Sequence, residues 1–152
     1  MLARYLSPYS GVGLSILRIG AGLLFMMHGA QKLYGFLGPP VPSLFSLLGL
    51  AGLLEWFGGL LLVLGLFTRP TALLTGGQMA VAYWMAHLPR GFWPLQNGGE
   101  PALLFMLIFL YITVAGPGPL SLDHWRAIRQ VAAQPAPAPA VTAPPARERI
   151  AS

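Results

Sequence analysis

Glu55 sits near the middle of an apolar run from Leu44 to Phe67, within the string LLEWFGGLLL. A carboxylate at the centre of a hydrocarbon layer costs roughly 2.5–3.5 kcal/mol on insertion scales. Such a group faces a bundle interior, finds a cationic or hydrogen-bonding partner, or gives up its charge. Candidate partners stand on the preceding apolar run, where Arg18, Phe25, His28 and Lys32 fall within about a quarter of a helix circumference. Gly52, Gly58 and Gly59 share the face of Glu55, at spacings that let a second helix approach closely. A third run stacks Gly76, Ala80, Tyr83 and His87 on one stripe, and a fourth aligns Glu100 with Tyr111. An acid, two histidines and a lysine in one such bundle are suited to general acid–base chemistry or a proton relay.

Depth brings these groups together. At a rise of about 1.5 Å per residue, Glu55 lies roughly 12 Å and His28 roughly 9 Å below the outer ends of their helices. Lys32 lies nearer the outer surface, and Arg18 lies about 12 Å past Glu55 toward the opposite side. Tyr83, His87, Arg90, Asn97 and Glu100 crowd the outer ends of the last two runs. The expectation is one outward-facing polar pocket floored by Glu55. Glu55, His28, Lys32 and His87 are its acid–base candidates. Arg18, Tyr83, Trp56, Arg90, Asn97 and Glu100 are its substrate-binding candidates, with Phe25, Trp56 and Trp84 as aromatic walls. Each has a plainer reading. An ion pair at Glu55 can simply fix helix register. Lys32 and Arg90 suit snorkelling to an interface, and Tyr34, Trp84, Phe92 and Trp93 suit an aromatic belt. His28 and His87 could ligate a haem, but two histidines from four spans are thin grounds, and no metal site is expected.

The elements that must position these residues are membrane helices. The 152 residues are 55% hydrophobic and 9% charged, and the mean hydropathy is +0.65. A water-soluble domain of this size needs more polar surface. Four apolar segments stand out, Gly13 to Tyr34, Leu44 to Phe67, Pro70 to Leu88 and Pro101 to Ala115. A bilayer crossing takes about 20 residues. The breaks carry turn chemistry, in Gly38-Pro39-Pro40-Val41-Pro42, Asn97-Gly98-Gly99 and Gly116-Pro117-Gly118-Pro119. Thr68 reads as an N-cap ahead of Pro70. Ser121 reads as the cap of a short amphipathic helix along the interface, Leu122, Trp125 and Ile128 meeting lipid and Arg126 and Arg129 the headgroups. The fold class is therefore all-α, a four-transmembrane-helix bundle over residues 1–133. A Pro/Ala-rich tail over 134–152 is expected to be disordered.

Arg18 interrupts the first apolar block and His28-Gly29-Ala30 lacks the small residue a cleavage site needs, so that block does not read as a cleaved signal. The basic residues Arg4, Arg69, Arg126, Arg129, Arg147 and Arg149 fall on one side of four spans, Lys32 and Arg90 on the other. The positive-inside rule then puts both termini in the cytoplasm of a multi-pass inner-membrane protein. The net charge of +5 is scattered along the chain, which argues for the bilayer as partner and against nucleic acid. With no cysteine, disulfide exchange, iron–sulfur clusters and thiolate metal sites are excluded.

The strings RIGAGLLFMMHGAQK, GLLEWFGGLLLVLGLFTRP and QMAVAYWMAHLPRGFWPLQNGGE, with the closing AGPGPLSLD, resemble the DoxX family of small four-helix membrane proteins. The resemblance covers Leu14 to Asp123 and rests on several blocks in the same order and spacing. It implies a quinone-linked setting, since members resemble the membrane subunit of a thiosulfate:quinone oxidoreductase or are linked to quinone detoxification and oxidative-stress complexes. It carries over no catalytic residue set. Two functions follow as expectations. One is a redox protein handling quinone or hydroquinone at the polar pocket, without an intrinsic cofactor, its electrons coming from a soluble redox partner or another membrane subunit. The other is a non-catalytic membrane scaffold whose polar core only fixes helix packing. A transporter or proton path is a lesser reading, which four short spans would support only as a homo-oligomer.

Overall fold

The computed structural model describes residues 5–38 and 40–134, which form helices and turns with no strand among them. After a 3-10 turn at Ser7–Tyr9 come α1 (Ser10–Tyr34), α2 (Leu47–Leu64) and α3 (Thr68–Ala82). α3 runs on into a π-helical turn, Tyr83–His87, and a 3-10 turn, Leu88–Arg90. A single turn, α4 (Pro94–Asn97), leads to α5 (Glu100–Ala115) and α6 (Leu122–Ala132). Ser7–Tyr34 and Leu47–Leu64 are long and apolar enough to cross a membrane, and α5 is apolar but shorter. The expected tail lies, from residue 135, outside the described residues, as do Arg4, Arg147 and Arg149.

Local chemistry sets the boundaries. Ser46 caps α2 by accepting from Gly49 N, and Gly35 and Gly65 end α1 and α2 in the left-handed conformation that lacks a Cβ penalty. The start of α3 differs from the expectation. Thr68 is already inside the helix, and Phe67 stands at the cap with a φ of 48°. The capping acceptor comes from far along the chain, because the Asp123 carboxylate accepts from Phe67 N at 3.0 Å and Thr68 N at 2.8 Å. Ser121 caps α6 as expected, accepting from His124 N.

α1 packs most extensively on α2 and α3 on α5, while thinner α2–α3 and α1–α5 contacts close the ring. Glycines explain the α1–α2 approach. A Cβ on Gly29 would fall 2.5 Å from Trp56 N, and one on Gly59 would fall 2.7 Å from Gly22 O. Gly58 serves the other neighbour, facing Thr75 of α3. Ala80, placed on the polar stripe of the third run, is exposed. The described core holds Phe25, Leu62, Phe109 and Ile112 together with Ser15, Arg18, Glu55 and Thr75, while Leu24, Leu54, Leu74 and Leu107 point outward. Polar groups inside and leucines outside are what a hydrocarbon solvent imposes, and the chain is a membrane protein.

Candidate functional site

Between the α1–α2 and α3–α5 pairs lies a cavity of about 400 Å³. His28 and Lys32 of α1, Glu55 of α2 and His87 of the π turn all line it. Its floor is an ion pair, Lys32 Nζ to Glu55 Oε2 at 2.5 Å, with Glu55 only 2% exposed. The other carboxylate oxygen accepts from Gln78 Nε2 of α3 at 3.2 Å, and the same amide group donates to Ala51 O. Three helices thus meet at one carboxylate. The acceptors Ala51 O and Glu55 Oε1 fix which way the amide points, since its oxygen would repel both.

Phe25 and Phe105 supply aromatic wall, and the His28 ring stands edge-on to Phe105 with centroids 5.7 Å apart. No protein partner satisfies the ring nitrogens of His28 among the described hydrogen bonds, so they are free to meet a ligand. His87 Nδ1 lies 3.2 Å from Asn97 O. A carbonyl only accepts, so Nδ1 carries the proton and Nε2 keeps a lone pair. Leu47 and Leu48 on α2 and Met85 beyond α3 line the cavity and are themselves exposed.

The six substrate-binding candidates do not line this cavity. Arg18 is fully buried at the opposite end of the bundle and reaches no carboxylate of the pocket. Its guanidinium donates to Leu62 O and Val63 O at the end of α2 and to Pro117 O and Leu120 O after α5. The expected reach toward Glu55 fails because the guanidinium is taken up by these carbonyls at the end of α2 and in the turn after α5. Trp56 turns about 100° from Glu55 around α2 and stacks edge-on with Tyr34. Trp84, expected as a wall, is also absent from the lining and exposed. Asn97 is a loop organiser, donating to Gly91 O and accepting from Gly99 N at 2.7 Å each. Tyr83 donates to Phe92 O. Arg90 and Glu100 are exposed.

Gln78 is the residue that sequence reasoning missed. An amide within the apolar run Pro70 to Leu88 is the available signal, a weak one because it carries no charge. Asp123 was missed as well. Its carboxyl sits below the ordinary aspartate range; burial pushes it up, but the Thr68 and Phe67 amides and the Arg126 charge outweigh that.

The family model described as DoxX matches residues 13–88, the stretch that carries Lys32, Glu55, Gln78 and His87. A Haemophilus influenzae protein described as uncharacterized is 38% identical over 132 residues, covering 78% of this chain and 94% of that protein. Two Escherichia coli proteins are also similar. Inner membrane protein YqjF is 32% identical, covering 74% of this chain and 91% of its own length. Inner membrane protein YphA is 30% identical, covering 73% and 88%. No solved structure matches.

Proposed function

This chain belongs to the DoxX family, and we propose that it is a four-span inner-membrane protein whose outer cavity binds a quinone or hydroquinone. Relatives named as inner membrane proteins support the location. Arg69, Arg126 and Arg129 near one end of the bundle, against Lys32 and Arg90 near the other, support an orientation with both termini in the cytoplasm. The observation that carries the redox reading is the Lys32–Glu55–Gln78 cluster in a cavity that also presents unpartnered His28 and the Nε2 lone pair of His87. A flat ring fits between aromatic side chains, and its oxygens find His28 and Lys32 as donors. Reduction of a quinone consumes two electrons and two protons. Lys32 and Glu55 pass the protons, and a separate redox protein or soluble reductant supplies the electrons.

One observation favours a second reading, a scaffold. Both oxygens of Glu55 are already satisfied by protein donors on two other helices, which alone would lock three helices together. His28→Ala separates the two, because His28 has no hydrogen-bond partner among the described residues. The expected result is protein that melts as the native chain does but no longer copurifies with, or reduces, a lipid-soluble quinone. Native protein that neither retains nor reduces quinone would leave the scaffold reading standing.

A further inference from the structure

The packing leaves the apolar face of α6 uncovered. None of its residues is buried, and Trp125, Ile128 and Val131 are 50%, 55% and 70% exposed. An isolated helix shorter than about 12–15 residues is marginal in water, and α6 has 11. Its apolar stripe needs a covering surface.

Two features identify that surface. The first is position. The Asp123 carboxylate holds the first turn of α6 to Phe67 and Thr68, Asp123 N donates to Gly65 O at 2.9 Å, and Arg18 holds Leu120 O. Those bonds fix the helix to the end of the bundle where α2 turns into α3. The second is charge. Asp123 is the helix's one acid and is spent on capping, whereas Arg126 and Arg129 have no carboxylate partner among the described salt bridges. Arg129 lies over the Trp125 ring at 3.7 Å and Arg126 over Phe67 at 5.9 Å. Stacking holds a guanidinium by its face and leaves its N–H edge free for phosphate oxygens.

We propose that α6 is a surface-docking helix for anionic phospholipid, with Trp125 and Ile128 in the headgroup–acyl boundary and Arg126 and Arg129 on lipid phosphates. The combination of a pinned end, an apolar stripe and flanking arginines with no salt bridge among the described residues fits a negatively charged bilayer surface. A zwitterionic surface would satisfy the stripe and leave the charge unanswered. A second copy of the chain would bring the same two arginines against each other.

The chain has no cysteine, so Ile128→Cys gives one site for an environment-sensitive fluorophore. Gln130→Cys, on the opposite side of the helix, is the control. The full chain is reconstituted in liposomes of brominated phosphatidylcholine, with or without brominated phosphatidylglycerol. The expected result is quenching at position 128 and little at 130, strengthened by phosphatidylglycerol. In Arg126→Gln and Arg129→Gln, both at exposed sites, the ratio of docked to free helix should fall about fivefold per arginine. Equal quenching at 128 and 130, or none at 128, would overturn docking. Quenching indifferent to phosphatidylglycerol would overturn anionic recognition. A label at 128 that is shielded from bromine yet released on dilution into more lipid would assign the face to a second copy instead. An unchanged melting temperature in detergent shows that the variants remain folded.

Discussion

A carboxylate in the middle of an apolar helix requires partners, and Glu55 has two, Lys32 Nζ and Gln78 Nε2. They differ in kind. Lys32 answers the charge, while Gln78 fixes the carboxylate's orientation. Glu55→Gln therefore strips the counter-charge from Lys32 and should destabilise the bundle by about 3 kcal/mol, the low end for a broken buried pair because Lys32 keeps some solvent contact. The double variant Lys32→Met/Glu55→Gln should recover much of that loss, as thermal melts in detergent would register. Full additivity of the two single changes would mean that the pair is not coupled. Glu55 and Lys32 were legible from residue type and helical phase alone. Gln78 was not, because an amide carries no charge penalty to mark it and its role depends on how α3 is rotated against α2.

At the scale of elements, helix termini are answered by residues distant in sequence. Arg18 fills the carbonyl end of α2, and Asp123 fills the amide end of α3. Arg18→Met should cost about 3–5 kcal/mol, since it strands several buried carbonyls. Arg18→Lys should not rescue it, because an ammonium cannot span carbonyls on two segments. Urea- or heat-induced unfolding in detergent would measure both. Asp123 brings a pH dependence. Its folded pKa lies below the ordinary value, so its stabilisation is complete above about pH 4 and disappears as pH falls through the lower folded value. Asp123→Asn should flatten the melting profile below about pH 4, where the native carboxylate takes up its proton. Glycine sets the helix spacing. Gly29→Leu would drive a side chain into the Trp56 backbone and should split α1 from α2, abolishing the cooperative melt.

For the whole molecule, the proposed four-span topology assigns each connecting turn a side. Single cysteines at Ser43 and Gln96 should react with a membrane-impermeant maleimide added outside intact cells. A cysteine at Gln130 should react only after permeabilisation. Labelling of Gln130→Cys in intact cells would reverse the orientation, and split behaviour of 43 and 96 would remove the four-span topology. The thin α2–α3 and α1–α5 seams matter here, because a cavity persists where two tight helix pairs meet loosely.

Apolar blocks, proline and glycine breaks and the phase of polar residues determined the long helices, the membrane setting and the grouping of Glu55, Lys32, His28 and His87 around one cavity. These features depend on composition and a fixed helical period, both local to the chain. Tertiary structure decided that Arg18 serves backbone carbonyls instead of Glu55, that Trp56 faces Tyr34, that Asp123 replaces Thr68 as the cap of α3, and that Gln78 completes the site. Those outcomes depend on the rotation and offset of one helix against another and on backbone acceptors, which have no letter in the sequence.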